Sequence, residues 1–510
     1  MLSAKRILAA LLASLMLIPA MAACSEDTAE TPADTTAAVE DTTTAETEPP
    51  ETERSDAKDN LPAGLKFNGT TVTWVYRNED WYRKWDMVGT DNTGELIQDA
   101  IWQRNINVED RLDVKLNMQG TQGKALADVQ NELKNLVFAG TDDIDIISST
   151  LNTTATVGLY PFLYELTALK YVDITQPWWR EEGTKELSMD GEHYRFLFGD
   201  HTLNTYLKCG VVYYNKDIYT DVYKTDADEL YKDVLGGTWT YDDMIRMTAE
   251  AYVDLNGDGQ QNKGDRFGLM IPAKYTEATM HMVYGCNIDG QVRTKEGGVD
   301  LSPFNSEKNI AVIDKLIKVC HNEKGVWISD ASIDGSPKYF VQNNSLMYTG
   351  RLTNAVAANM RDMESDYGIL PMPKYDEAQE EYITMIHTSG STTCIPKSLA
   401  STRVDMVDAV LEAMASESYR IVMTPFIETA LKLKYSRDSL SGSVIDIVFD
   451  SARVFFSDAF AKNMNSIINN CFLKNITNGE NTFASSIASA LAAGQSQIDT
   501  YMKDIKDSDK

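Results

Sequence analysis

Apolar and polar positions change period several times along this chain, and each change predicts an element. Thr70-Thr71-Val72-Thr73-Trp74-Val75-Tyr76 alternates with period two and is rich in β-branched and aromatic residues, which predicts a strand. From Glu95 to Arg111 the period becomes helical, with Leu96, Ile97, Ala100, Ile101, Arg104 and Val108 on one stripe. Leu112-Asp113-Val114-Lys115-Leu116 alternates again and predicts a second strand. Leu126 to Ala139 predicts a helix closed by Gly140. Asp143-Ile144-Asp145-Ile146-Ile147 predicts a short buried strand. This β-α-β-α-β order implies a largely parallel sheet with crossover helices. Ligands of such sheets sit beyond the carboxyl ends of the strands. The loops Arg77–Trp85 and Ser148–Thr154 occupy those ends.

Further on, Thr240 is placed to cap a helix, with Asp243 at its third position. Leu370-Pro371-Met372-Pro373 cannot be helical, because each proline lacks an N–H and restricts its predecessor. Residues 402–417 and 483–507 predict helices.

The amino-terminal end follows a different grammar. Lys5-Arg6, an uncharged apolar run from Ile7 to Ala20, and Met21-Ala22-Ala23-Cys24 form the three parts of a secretory signal. The run is too short for a membrane span. Small residues before a cysteine resemble a bacterial lipobox, with Met21 where Leu is usual. Cleavage would leave residues 1–23 as the signal and Cys24 as a lipidated first residue on the outer face of the cell membrane, as on a Gram-positive-type surface. The competing reading is an ordinary secretion signal with an incidental cysteine. Residues 24–60 then read as an acidic, Thr/Glu/Pro-rich stalk, with twelve acids against Arg54 and Lys58. Such a stretch buries too little apolar surface to order itself, and like charges extend it.

Composition narrows the partners. The formal charge of the 510-residue chain is −29, of which about −21 falls on residues 61–510. That excess of acid argues against nucleic acid. About 450 residues fit two or three substructures. Cys209, Cys286, Cys320, Cys394 and Cys471 show no metal-ligand spacing and are odd in number, so they cannot all pair.

Several short stretches, in order, resemble one family. These are Gly158-Leu159-Tyr160-Pro161-Phe162-Leu163-Tyr164-Glu165-Leu166 after "DIDIISS", Tyr213-Tyr214-Asn215-Lys216-Asp217, Gly237-Thr238-Trp239-Thr240-Tyr241-Asp242-Asp243, Phe340 to Gly350, and Tyr367-Gly368-Ile369-Leu370-Pro371-Met372-Pro373. Together they are similar to the extracellular solute-binding proteins of bacterial ABC importers, the group that includes sugar binders. The resemblance implies an α/β, two-lobed, periplasmic-binding-protein-like fold of type II, each lobe a mixed, largely parallel sheet flanked by helices. Lobe one would be 61–206 plus 373–425 and lobe two 207–372 plus 426–510. The crossings would lie near Leu207, Pro371–Pro373 and Thr424–Pro425. It implies a monomer that binds a small solute, most readily a carbohydrate or oligosaccharide, and hands it to an ABC permease. A peptide or other polar solute, or a surface glycan hydrolase or attachment protein, are the alternatives.

Loop position and the resemblance nominate Asn78, Trp81, Trp85, Ser149, Thr150 and Asn152 from lobe one. They nominate Asp200, Tyr206, Tyr284 and Arg351 from the hinge or lobe two. Trp81 and Trp85 either stack on sugar faces or cover the sheet edge. No H-E-x-x-H, G-x-S-x-G or P-loop occurs, and His193, His201, His281, His321 and His387 lack metal spacing. No catalytic residue is therefore nominated.

One motif points to a structural Ca2+. Asp254, Asn256, Asp258 and Asn262 stand at positions one, three, five and nine of a twelve-residue loop. Gly259 is at six, Gln260 at seven and Asp265 at twelve. Asp in place of a bidentate Glu at the last position predicts modest affinity. The alternative is a metal-free Asn-Gly/Asp-Gly turn.

Overall fold

The computed structural model describes residues 54–508 apart from 80–82, 88, 90–93, 141–142, 157–159, 273–275, 296, 322–323, 330–332, 334–336, 357–359, 361–362 and 428–439. The signal, Cys24, the stalk as far as residue 53, and Trp81 lie outside the described residues.

Strands run in chain order as β1 (Thr70–Tyr76), β2 (Val114–Gly120), β3 (Ile146–Thr150), β4 (Gly210–Asn215), β5 (Phe267–Ile271), β6 (Val292–Arg293), β7 (Val299–Asp300), β8 (Val326–Ile328), β9 (Ser345–Arg351), β10 (Tyr367–Pro371), β11 (Thr384–Met385), β12 (Ser391–Cys394) and β13 (Ala452–Arg453). Two mixed sheets organise the molecule. The first has the order β12-β3-β1-β2 and the second β10-β4-β9-β5-β8. In the first, β1 is parallel to both β2 and β3, and β12 is antiparallel to β3. In the second, β5 is parallel to β8 and β9, while β4 is antiparallel to β9 and β10. The fold is two-lobed α/β with helices flanking each sheet.

The helices of the first sheet form where the apolar period predicts them, at Leu96–Leu112 and Leu126–Ala139. The first buries Ile101, Arg104, Val108 and Leu112 on one stripe. Along β1 the burial alternates with the pleat. Val72, Trp74 and Tyr76 join one core cluster and Val75 the other, so the sheet is covered on both faces. Arg104 is the charged member of its stripe. Its guanidinium donates to His201 O (2.9 Å), Ser418 Oγ (3.1 Å) and Asp86 O (2.8 Å). Those bonds make its burial tolerable.

Two strands sit further along the chain than predicted. The helix keeps Leu112, and Asp113 ends it in the left-handed region at φ +49°, so β2 begins at Val114. Asp145 still donates its N–H to Thr73 O (3.0 Å) on β1, but its side chain adds further bonds at the start of the strand. Its carboxylate accepts from Thr73 N (2.7 Å) and pairs with Arg403 Nε (2.6 Å). Strand β3 starts at Ile146, and Ser148, Ser149 and Thr150, expected in a loop, are strand residues between β1 and β12. The loop expected after them is the short helix Leu151–Thr156.

The stretch read as stalk through Asn60 is packed on the body from residue 54. Arg54–Asp56 makes a helical turn. The Asp59 carboxylate receives both Arg111 terminal nitrogens (2.6 Å each) and Ser416 Oγ (2.9 Å). Burial alone would raise the Asp59 pKa, but these partners outweigh it and hold it below the usual value. Ion pairing thus orders a segment too polar to be ordered by apolar burial.

The expected capping box is present at Thr240: its hydroxyl and the Asp243 carboxylate exchange bonds with each other's backbone N–H groups. Pro371 ends β10, and the chain stays against the second sheet beyond it, through Lys374 N to Trp239 O (3.1 Å) and Tyr241 N to Lys374 O (3.0 Å).

Candidate functional site

Strand directions bring two sets of chain ends together. In the first sheet the carboxyl ends of β1, β2 and β3 share an edge with the amino end of β12. In the second the carboxyl ends of β5, β8, β9 and β10 share an edge with the amino end of β4. Two links join these edges, residues 207–209 leading into β4 and residues 386–390 leading into β12. The links run side by side: Cys209 bridges Ile386 in antiparallel fashion, and His387 N donates to Lys208 O (3.2 Å). Each link is also tied to a sheet end. Leu352 N donates to Cys209 O (3.1 Å), Asn152 N to Thr388 O (2.8 Å) and Leu151 N to Gly390 O (3.0 Å). A Cβ on Gly210 would collide with the His281 ring, so only glycine lets that ring lie against the start of β4.

The link His387-Thr388-Ser389-Gly390-Ser391 and the strand after it carry no apolar side chain until Cys394. First-sheet residues satisfy one side. Ser391 Oγ donates to the Asp86 carboxylate, which also accepts from Asn204 N (2.8 Å). Asn204 Nδ2 reaches Ser389 O (3.1 Å), and Thr205 Oγ1 reaches Ser391 O (2.8 Å). Thr393 Oγ1 shares a bond with Ser148 Oγ (2.6 Å) and another with His201 Nε2 (2.7 Å). Asp86 is buried, and desolvation raises its pKa to about 7 despite Ser391, Asn204 and Arg104.

On the other side stands Arg351, the last residue of β9 and 1% exposed. Its Nε donates to His281 Nε2 (3.1 Å), which makes that nitrogen an acceptor and the ring neutral. Its Nη2 pairs with Glu277 Oε2 (2.9 Å), and the glutamate is 47% exposed. The His387 ring lies 6.0 Å from the His281 ring. Burial first, then the charge of Arg351, holds the His387 pKa well below its ordinary value. Asp458, on the short helix Phe456–Ala459, lies near the backbone and hydroxyl of Thr388, whose dipoles favour its charged form. Burial raises its pKa to about 7 against the pull of Thr388 and Arg351. Gln130 Nε2 donates to Asn152 Oδ1 (3.3 Å). Residues from both sheets, a link and the C-terminal segment thus meet in one polar cluster.

Of the nominated residues, Asn152 and Arg351 belong to this cluster. Tyr284 adjoins it, buried, with its hydroxyl on Ser457 Oγ (2.8 Å) and its ring stacked on Phe455 at 4.1 Å. Asn78 lies half-buried at the end of β1, its N–H on Thr121 Oγ1 (3.1 Å). Trp85 is 8% exposed and packs in the core. Ser149 is buried in β3, and Thr150 Oγ1 is bonded to Thr153 Oγ1 (2.8 Å). Asp200 and Tyr206 form a separate buried group. The Tyr206 hydroxyl donates to Asp200 and accepts from Arg180 Nε (2.8 Å), and burial raises the Asp200 pKa to about 6. The cluster residues missed in the sequence are Gln130, Glu277, His281, His387, Thr388 and Asp458. Surface cavities of about 930 Å3 beside Pro177 and Tyr419, and about 540 Å3 beside Gln379 and Arg453, are lined by none of them.

The 254–265 loop is closed at its base by the Val253–Arg266 bridge. Asp254 accepts from Gly257 N (2.7 Å) and Gly259 N (2.8 Å), Asn256 Oδ1 from Asp258 N (3.0 Å), and Asp258 Oδ1 from Gln260 N (2.8 Å). Gly257 and Gly259 both take φ +72°. Asp265 is 1% exposed, and one carboxylate oxygen accepts from Asn262 N (3.0 Å) and Tyr252 OH (3.1 Å). The other, Oδ1, is buried and has no hydrogen-bond partner among the described residues. That spare oxygen suits a hard cation. Among the described residues, no group of three or more His, Cys, Asp or Glu side chains stands in metal-holding geometry.

No protein-family model matches the sequence, and no curated protein sequence matches it significantly. Solved structures do match its fold. A family 1 extracellular solute-binding protein from Bifidobacterium longum subsp. infantis has 14% identity and a TM-score of 0.52, over 85% of this chain and all of that one. A sugar transporter protein from Rhizobium etli in an open conformation has 12% identity and a TM-score of 0.51, over 84% of this chain and 99% of that one. The maltose-binding periplasmic protein of Listeria monocytogenes in complex with maltose has 16% identity and a TM-score of 0.50, over 85% and 99%. The chain has the fold of the extracellular solute-binding proteins, as the sequence resemblance implies.

The linkage at Asp86 is testable. An unfolded aspartate ionises near 3.8, whereas the folded group holds its proton to about 7. Between those values the folded state binds more protons, so this group lowers stability as pH rises and its full cost is present above about 7. Asp86→Asn removes that contribution. Its unfolding free energy relative to wild type should rise from pH 4 to 7.5 by an amount on the order of 2–4 kcal/mol. Urea titrations at several pH values measure this, and parallel wild-type and variant profiles would refute it.

Proposed function

We propose that this protein is a surface-anchored solute-binding protein of an ABC importer, that it captures a carbohydrate between its lobes, and that it passes the sugar unchanged to the permease. The observation that carries this reading is the meeting of both sets of strand ends on one polar cluster around Arg351, Thr388 and Asp458. Open α/β sheets bind ligands at those ends. The neighbours that share the fold include a maltose-binding protein and a sugar transporter protein. Lobe one would comprise 61–206 with the chain returning at 386–391, and lobe two the second sheet and its helices. Ligand contacts on both lobes would favour the closed state, which is differential binding rather than catalysis. Asn78, Asn152 and Arg351 would face the sugar. Thermal melts of the purified chain against maltose, maltotriose, other neutral and acidic oligosaccharides, and peptides test this. A bound sugar at a hundred times its Kd should raise Tm by about 3 °C. The sugar should be recovered intact; shortened glycan would point to a hydrolase, and a response to peptides alone would replace the sugar assignment.

Anchoring at Cys24 rests on Lys5-Arg6, the apolar run and Ala22-Ala23-Cys24. Among the described residues no helix is long and apolar enough to cross a membrane. Expressed in a bacterium that lipidates such signals, the wild type should partition into detergent and Cys24→Ala into the aqueous phase. Equal partitioning of the two would refute lipidation.

The 254–265 loop would hold Ca2+ through Asp254, Asn256, Asp258, the Gln260 carbonyl and Asp265, with Asn262 at the ninth position. The ion would staple the loop base to β5, away from the sugar. Chelator should lower Tm by a few degrees and added Ca2+ restore it, because a ligand of the folded state stabilises by mass action. Asp254→Ala with Asp258→Ala should abolish the response and leave sugar affinity unchanged. A wild-type melt insensitive to chelator would mean an empty turn.

A further inference from the structure

We infer that Asp458 is the residue that anchors the ligand, and that it selects a neutral, polyhydroxylated sugar against an acidic one. This deepens the carbohydrate reading and rests on it. Asp458 reaches the cluster from neither sheet. The four-residue helix that carries it follows β13, the strand that pairs with β11 just before the 386–390 link. Its carboxylate is near the backbone and hydroxyl of Thr388, the residue whose carbonyl accepts from Asn152 N. It therefore stands where lobe one, lobe two and the link meet.

Two observations give it a ligand role. Its Oδ2 is buried and has no hydrogen-bond partner among the described residues. A buried carboxylate oxygen left unpaired is costly, and proteins supply a partner from chain, solvent or ligand. The nearby cation, Arg351, is already held by Glu277 and His281. The cluster therefore has an acceptor to spare.

The charges facing Asp458 set the selectivity. Arg351 comes from β9, and Glu277 and Tyr284 from the helix Thr276–Gly285; Lys208 and His281 act on His387 in the link, beside Arg351. Arg351 nitrogens hold His281 in its neutral, accepting form, and His387 is kept neutral by burial and by Arg351. A sugar carboxylate would thus meet the Asp458 and Glu277 carboxylates, and Arg351 is paired with the second of these. A sugar hydroxyl would instead donate to Oδ2, a charge-assisted bond that strengthens as Asp458 ionises. The pKa of Asp458, raised by burial to about 7, puts that change within reach of ordinary buffers.

The test uses isothermal titration of the full chain with neutral maltotriose, cellotriose and xylotriose and with acidic trigalacturonate, at pH 5.5 and 8. A neutral sugar should bind the wild type at least ten-fold more tightly than the uronate, and about ten-fold more tightly at pH 8 than at 5.5. Asp458→Asn should bind ten- to a hundred-fold more weakly at pH 8 and lose the pH dependence. Thr388→Val, which removes one hydroxyl dipole that favours the charged carboxylate, should show a smaller loss and serves if Asp458→Asn fails to fold. A folded Asp458→Asn that binds as tightly as wild type, or a wild type that prefers the uronate, overturns the inference while leaving the carbohydrate reading intact. A wild type that binds no saccharide overturns that reading and this inference together.

Discussion

Everything in this molecule depends on a polar strand of chain crossing a buried place. From His387 to Thr393 the chain passes between the two sheets without an apolar side chain, and Thr388, Ser391, Thr392 and Thr393 are buried. Backbone N–H and C=O groups in such a place must find partners, or each exacts about 1–3 kcal/mol. The partners come from the first lobe and the neighbouring link: Asn152 and Leu151 from the first sheet's end, Asn204 and Thr205 from the segment before the first link, and Lys208 from that link itself, which Leu352 N in turn ties to the second sheet through Cys209 O. The lobes are therefore connected by hydrogen bonds that specify direction and register, where apolar packing would tolerate sliding. A hinge built in this way keeps the two sets of strand ends in a defined relation while the lobes remain separate bodies.

The same need explains why an acidic protein buries so much charge near its centre. Asp86, Asp200, Glu412 and Asp458 all lie in surroundings that raise their pKa, each chiefly through desolvation. Each is also a fastener. Asp86 ties the link to Asn204. Glu412 receives the indole N–H groups of both Trp178 (3.0 Å) and Trp179 (2.8 Å), which pins an aromatic pair to the helix Val404–Glu417. Trp178 lies in the turn that Trp179 N closes on Gln176 O (3.0 Å), and the carboxylate meets both indoles there. Asp458 differs from the others in the oxygen it leaves unpaired. Among the described residues that oxygen has no hydrogen-bond partner, which is why the ligand role is proposed for it.

The lobes' internal architecture was legible in the residues because it rests on local periodicity. The helices Leu96–Leu112 and Leu126–Ala139, strand β1 and the Thr240 capping box follow from spacing alone. Strand β3 was misplaced by three residues because Ser148-Ser149-Thr150 looks like a loop until a second strand is known to lie beside it. That strand, β12, is some 240 residues away, and no local signal announces the pairing. The candidate site was less legible for the same reason. Arg351 and Asn152 were reachable because strand ends can be counted, but His281, His387 and Asp458 acquire meaning only through contacts across the chain. Trp85 shows the converse error: an aromatic in the right loop can be spent on the core. One clue was present, the run His387-Thr388-Ser389-Gly390-Ser391-Thr392-Thr393 between apolar neighbours, since a polar stretch flanked by core strands must be either a surface loop or a buried crossing.

The C-terminal segment completes the logic of the crossing. After β13 the chain makes the helix that carries Asp458 and finishes in the long helix Phe483–Ser508. That helix holds the β6–β7 hairpin, through Gln495 Nε2 to Val299 O (2.7 Å) and Leu301 N to Gln495 Oε1 (3.1 Å). The hairpin in turn extends Arg293 onto the carbonyls of Glu186 and Ser188, in the chain segment that precedes the first link. Arg293 is also over the ring of Phe456, two residues before Asp458, at 4.5 Å. One guanidinium therefore touches the segment before the hinge, the hairpin that carries it, and the helix that presents the unpaired carboxylate. A change in the angle between the lobes would bear on these two contacts, with the segment and with the helix, which links the position of Asp458 to the hinge. On the proposed reading, a ligand that engaged Asp458 would act on the hinge through this contact, the coupling that capture and release would require.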